Sequence, residues 1–128
     1  MQKPKVDEKM FIGSIFISKG RLMKCINILA TQEGVGFDDV CSISTYESYD
    51  PGDPDRCRKD EVVLNLNFAG SPEEETRITY GEFIELIKYG IAERWQRYSP
   101  SEQKEISEYL DKCIKIYRQS QIKKSDMQ

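Results

Sequence analysis

The segment ITYGEFIELIKYGIAERWQRYSPSEQKEI, residues 78–106, decides the fold, because it contains the start signals of two helices. Thr79 and Glu82 have the T-x-x-E spacing of a capping box, in which each side chain bonds the backbone N–H of the other residue. Apolar residues then recur at steps of four, which predicts a helix with one buried face. These residues are Phe83, Ile87, Ile91 and Trp95.

A second helix is predicted directly after the first. Ser99 is placed as its N-cap, Pro100 as its first residue and Glu102 as the capping partner. Because the connection between the two helices is short, we expect them to form a helical hairpin. The apolar face of the second helix contains Ile106, Leu110, Cys113, Ile114 and Tyr117.

Upstream, residues 18–34 also have a helical pattern. Leu22, Ile26 and Leu29 share one face, and Gly34 is placed to end the helix. Residues 9–17 are ambiguous. Their β-branched and aromatic content favours a strand, whereas their apolar spacing suits a short helix, which is the interpretation we adopt.

The middle of the chain alternates between apolar and polar residues, as half-buried strands do. Strands are predicted in CSISTYESY (41–49), DEVVLNLNFAG (60–70) and ETRITY (75–80). The segment DPGDPDRCRKD between the first two strands contains two prolines and a glycine, so we expect a long loop that projects into solvent. The predicted fold class is α+β, a small antiparallel sheet packed by about three helices on one side, with a C-terminal helical hairpin. We expect a single domain over residues 1–128, with residues 1–8 and 120–128 frayed.

The net charge of −3 hides a strong segregation of charge along the chain. Residues 33–93 contain five basic and fifteen acidic residues, whereas the segments on both sides are basic. An acidic centre of this kind repels nucleic acid and attracts basic surfaces. No run of 18 apolar residues and no secretory signal pattern is present, so we predict a cytoplasmic protein that does not span a membrane.

The chain contains no histidine, which excludes several kinds of chemistry. Serine–histidine and cysteine–histidine pairs, two-histidine ribonuclease mechanisms and histidine-ligated zinc are all impossible without it. The four cysteines lie far apart without a C-x-x-C motif, so we expect reduced thiols rather than a zinc site. We predict no cofactor.

The stretch GVGFDDVCSISTYESYDPGDPD, residues 34–55, contains six carboxylates and two tyrosines but no basic residue. It could form a metal site, a catalytic carboxylate pair, a solvated loop or a docking surface for a basic partner. An EF-hand needs acids or Asn at positions 1, 3 and 5 and Gly at position 6 of its loop. Neither the register that starts at Asp50 nor the one that starts at Asp53 meets this requirement. The tyrosines interleaved with the acids favour docking, because Tyr is a common interface anchor.

Together, GVGFDDVCSISTYESYD, DEVVLNLNF and ITYGEFIELIKYGIAERWQRYSPSEQKEI resemble the ribonuclease-toxin immunity proteins of contact-dependent growth inhibition systems, the CdiI type. The resemblance extends over about residues 20–117, and the DPGDPDRCRKD loop has no counterpart in it. It implies a cytoplasmic inhibitor without enzymatic activity. Its partner would be the toxic C-terminal nuclease domain of a CdiA-type surface protein.

We therefore predict that the acidic centre binds and neutralises a basic toxin domain, with a small carboxylate- or metal-dependent enzyme as the alternative. The predicted toxin-binding residues combine surplus negative charge with aromatic anchors. They are Asp38, Asp39, Tyr46, Glu47, Tyr49, Asp50, Asp53, Asp55, Asp60 and Glu61.

Overall fold

The structure is a computed structural model, and it describes residues 18–36, 41–66 and 74–126. The helices in this part of the chain are α1 (Lys19–Thr31), α2 (Tyr80–Glu93) and α3 (Pro100–Asp126). The strands are β1 (Val35–Gly36), β2 (Cys41–Thr45), β3 (Glu61–Leu66) and β4 (Glu74–Thr79). Short 3-10 turns cover Tyr46–Ser48 and Trp95–Arg97. The predicted α+β class is confirmed.

The four strands form one antiparallel sheet in the order β1-β2-β3-β4, so β1 and β4 are its edges. Among the strands of the described residues, only the two-residue strand β1 was not predicted, because two residues are too few to show an alternating pattern. The register aligns Thr45 with Val62 and Val62 with Ile78 across three strands. This row lies on the inner face of the sheet, where all three side chains are buried.

The main core lies between the inner face of the sheet and the helices. Strand residues Ile43, Val62, Leu64 and Ile78 belong to the same buried cluster as residues from all three helices. Helix α3 packs most extensively against α1. The helical members of the cluster include Leu22, Ile26, Leu29, Phe83, Ile87, Ile91, Ile106, Leu110, Cys113 and Ile114.

Both predicted helix starts are confirmed. The Thr79 backbone N–H donates to the Glu82 carboxylate at 3.0 Å, and the Glu82 N–H donates to the Thr79 hydroxyl at 3.1 Å. At α3, the Ser99 N–H donates to the Glu102 carboxylate at 2.9 Å, and the Glu102 N–H donates to the Ser99 hydroxyl at 3.3 Å. The hydrogen bonds that the Glu102 carboxylate accepts from the Ser99 backbone and side chain lower its pKa.

The end of α1 differs from the prediction. The helix ends at Thr31, and Gln32, not Gly34, takes the left-handed conformation with φ 58°. The Gln32 N–H closes the helix by donating to the Ile28 carbonyl at 2.7 Å. Gly34 is required for another reason, since a Cβ there would clash with the Ser48 hydroxyl and lie 2.7 Å from the Ile43 carbonyl oxygen.

Two further element boundaries differ from the prediction. Strand β2 ends at Thr45, because the chain turns into the 3-10 turn Tyr46–Ser48 instead of continuing to residue 49. Helix α3 continues to Asp126, past residue 120, where we expected the chain to fray. Residues such as Gln121 and Lys123 have high helix propensity, so the helix continues without an apolar pattern.

The predictions for residues 1–8 and 9–17 lie outside the described residues. In the described part of the chain, none of the three helices is both long enough and apolar enough to span a membrane.

Candidate functional site

Residues 46–60, the β2–β3 loop, contain most of the predicted binding residues, and hydrogen bonds fix the start of this loop. The Thr45 side chain is buried, and its hydroxyl donates to the Gln32 carbonyl at the end of α1 at 2.7 Å. The Thr45 N–H donates to the Ser48 hydroxyl at 2.9 Å. The turn that presents Tyr46 and Glu47 is therefore tied to both α1 and β2.

The β2–β3 loop folds back over the outer face of the sheet, and the prediction that it projects into solvent is wrong. Val63 faces away from Val62 and Leu64, and yet it is fully buried. Its cross-strand partner on the outer face is Arg77. The Arg77 guanidinium donates to the Asp55 carbonyl at 2.8 Å, which places the loop over this face.

Two further residues of the loop, Cys57 and Tyr49, are wholly or partly buried. Cys57 in the loop is only 2% exposed, and its thiol donates weakly to the Glu61 carbonyl at 3.9 Å. Tyr49 is half-buried and hydrogen-bonds Ser44 on β2. Burial raises the pKa of both the Tyr49 hydroxyl and the Cys57 thiol. Cys57 therefore acts as a small hydrophobic residue that attaches the loop to the sheet.

Tyr46 is held by a cation from the same loop. The Arg56 guanidinium carbon lies 3.4 Å from the centre of the Tyr46 ring, and the Arg56 Nε donates to the Tyr46 carbonyl at 3.0 Å. The Lys59 ammonium lies 5.5 Å from the same ring centre. Because both cations are within the usual range for attraction to an aromatic face, the two ends of the loop are joined at Tyr46.

Three of the predicted acids have structural roles inside or beside the loop. The Asp53 carboxylate accepts from the Asp55 N–H at 2.8 Å, which forms a local turn. The Glu61 carboxylate accepts from the Arg58 N–H at 2.8 Å. Asp60 forms an exposed ion pair with Arg58 at 3.3 Å. These contacts stabilise the loop, and they tie the three carboxylates to groups of the protein itself.

The remaining acids of the loop are open to solvent. The side chains of Glu47, Asp50 and Asp55 are exposed, and none of the three forms an ion pair within the described residues. The structure therefore leaves a subset of the predicted residues exposed and without an ion pair to the described residues. We call Glu47, Asp50 and Asp55 the acidic rim. Asp38 and Asp39 lie outside the described residues.

The described side chains give no support to a metal site. No three of the described Cys, Asp and Glu residues are grouped so that they could hold a metal ion. Cys57 and Cys113 are buried free thiols, and Cys25 is also buried.

Sequence reasoning overlooked the basic residues that hold the loop in place. Arg56 follows directly after the acidic stretch, and Arg77 occupies an outward position in an alternating strand. Both facts are visible in the sequence. Arg77 bonds the carbonyl of Asp55, which lies 22 residues earlier in the chain, and no local sequence pattern reveals a contact over that distance.

Replacing Arg77 with alanine should loosen the β2–β3 loop without unfolding the protein. The change removes the hydrogen bond to the Asp55 carbonyl, which contributes about 1 kcal/mol, so opening of the loop should become roughly fivefold more frequent. Hydrogen exchange at the amides of Asp55 and Arg56 measures this opening. Arg118→Ala on the exposed side of α3 is the matched control. Equal exchange rates in the two variants would show that Arg77 does not hold the loop.

Neither a family model nor a curated protein nor a solved structure matches the chain.

Proposed function

We propose that this protein binds a basic protein partner through the acidic rim of the β2–β3 loop, and that this partner is a toxic nuclease domain that it neutralises. The observation that carries the proposal is the contrast within the loop. Arg56 stacks on Tyr46 and Asp53 accepts a hydrogen bond within the loop, whereas the side chains of Glu47, Asp50 and Asp55 are exposed and form no ion pair with the described residues.

Two physical consequences of this arrangement favour a role in binding. A loop fixed by Arg56, Arg77 and Cys57 is already ordered, so little conformational entropy is lost when a partner binds. Exposed carboxylates also accelerate encounter with a basic surface, which suits an inhibitor that must capture its target before it acts. Nucleases present basic clefts to the phosphate backbone, and exposed carboxylates on an ordered loop can occupy such a cleft.

Reversing the charge of Asp50 and Asp55 together should slow association with the nuclease domain about tenfold at low salt and weaken its dependence on salt. These two acids are chosen because their carboxylates form no described hydrogen bond, whereas Asp53 shapes the loop. The direct measurement is the association rate of Asp50→Lys/Asp55→Lys at two salt concentrations. The partner is the nuclease domain encoded by the neighbouring upstream gene.

The matched control is Glu85→Lys/Asp111→Lys, which changes the net charge equally on exposed positions of α2 and α3. This control should associate with the partner as fast as the wild type. RNA cleavage by the nuclease domain, with and without the inhibitor, reports neutralisation. If wild-type protein neither binds the domain nor protects RNA from it, the proposed function is wrong. Hydrolase activity of the protein alone would support the alternative of a small enzyme.

A further inference from the structure

A small pocket lies beside the acidic rim, where four parts of the fold meet. Its volume is about 120 Å³, and it lies between the end of α1, the turn at Tyr46–Ser48, the β2–β3 loop and the start of α2. The lining residues are Gln32, Tyr46, Glu47, Lys59 and Tyr80.

The lining of this pocket has the chemistry of a cation site. Two aromatic rings and a carboxylate share one small space, and both kinds of group attract cations. Tyr80 is a rigid wall, because its side chain is 2% exposed and its ring stacks on Tyr117 with 5.0 Å between the ring centroids. Burial raises the pKa of the Tyr80 hydroxyl, so it stays neutral.

The protein's own side chains already show that this region holds cations. Arg56 stacks on the Tyr46 ring, and the Lys59 ammonium lies near the same ring while Lys59 also lines the pocket. Lys59 has no ion pair within 4 Å among the described residues. Its side chain is exposed, so a stronger cationic ligand can displace it at little cost.

We propose that this pocket binds an arginine side chain of the basic partner. The size allows it, since a pocket of about 120 Å³ holds several water-sized groups and a guanidinium group has four heavy atoms. The Glu47 carboxylate is the ion-pair partner, and the Tyr46 ring contacts the flat guanidinium group in the place of Lys59. This inference rests on the proposed function for the source of the arginine, but the pocket can be tested without the partner.

The experiment is a titration of the full chain with the peptide acetyl-Gly-Arg-Gly-amide, followed by NMR. Two comparison peptides replace the arginine, one with citrulline, whose side-chain end is flat but neutral, and one with lysine. The arginine peptide should shift the amide signals of Gln32, Glu47 and Tyr80, and the citrulline peptide should leave them unchanged. Glu47→Gln should weaken binding of the arginine peptide about threefold, and Lys59→Ala should strengthen it by a similar factor. Lys88→Ala, an exposed lysine on α2, should change nothing.

Equal shifts with the citrulline peptide, or unchanged binding by Glu47→Gln, would overturn the cation site. Equal affinity for the lysine peptide would overturn the assignment to arginine. Binding of the arginine peptide without any inhibition of the nuclease domain would reject the proposed function and keep the pocket. Inhibition of the nuclease domain without binding of the peptide would reject the pocket and keep the proposed function.

Discussion

Replacing Ile87 with alanine is expected to lower the free energy of unfolding by about 2–5 kcal/mol, as large-to-small changes in a packed core do. Ile87 is fully buried in the cluster shared by the sheet and the three helices. The cavity left by the lost side chain cannot be filled, because strands hold one side of it and helices the other. Denaturant unfolding monitored by circular dichroism measures the change.

Two comparisons make this prediction specific. Leu110→Ala should lower the free energy of unfolding by an amount near the lower end of the same range. Leu110 is 8% exposed, and it lines an open groove together with residues of α2. Ile122→Ala is the matched control, because Ile122 is 61% exposed on α3 and its loss should change stability by less than about 0.5 kcal/mol. If the unfolding midpoint of Ile87→Ala lies at the same denaturant concentration as that of the wild type, Ile87 does not belong to the core.

Replacing Gly34 with alanine is expected to lower the free energy of unfolding by about 1–3 kcal/mol, although only one methyl group is added. The new Cβ would meet the Ser48 hydroxyl and the Ile43 carbonyl, so the turn at Tyr46–Ser48 would have to move away from the end of α1. The Thr45–Ser48 hydrogen bond would weaken with it. The acidic rim would thereby be disturbed without any change of charge.

Gly36→Ala is the matched control for this experiment. A Cβ at Gly36 has nothing within 4 Å, so the same substitution two residues away should leave stability nearly unchanged. The two variants can be compared by thermal unfolding and by their association rates with the nuclease domain. Equal stability of the two variants would show that the close contact at Gly34 relaxes freely.

Much of the fold could be predicted from local signals. The capping boxes at Thr79 and Ser99 fixed two helix starts, because such caps depend on residues only three positions apart. Alternation identified β3, with Val62 and Leu64 on the inner face. The same alternation placed Val63 on the outer face, but it could not indicate that Val63 is buried, because the covering loop is brought there by tertiary contacts.

The site was predicted less completely, and for a physical reason. A sequence shows the number of charges but not which of them are used within the fold. Asp53, Asp60 and Glu61 were grouped with Glu47 and Asp50 because all are acidic, yet the first three form contacts inside or beside the loop. Tyr49 is similarly engaged with Ser44 on the sheet. Only the folded chain separates the acids that stabilise the loop from those that remain exposed.

The edges of the sheet have a consequence for how copies of this protein behave at high concentration. An exposed edge strand offers free N–H and C=O groups that can pair with another molecule and begin aggregation. Here β1 is two residues long, and β4 has the charged residues Glu75 and Arg77, which pair with each other at 2.9 Å. A short edge and a charged edge both make poor templates for strand addition. The described edges of the sheet therefore give little opportunity for one copy of the protein to add a strand to another.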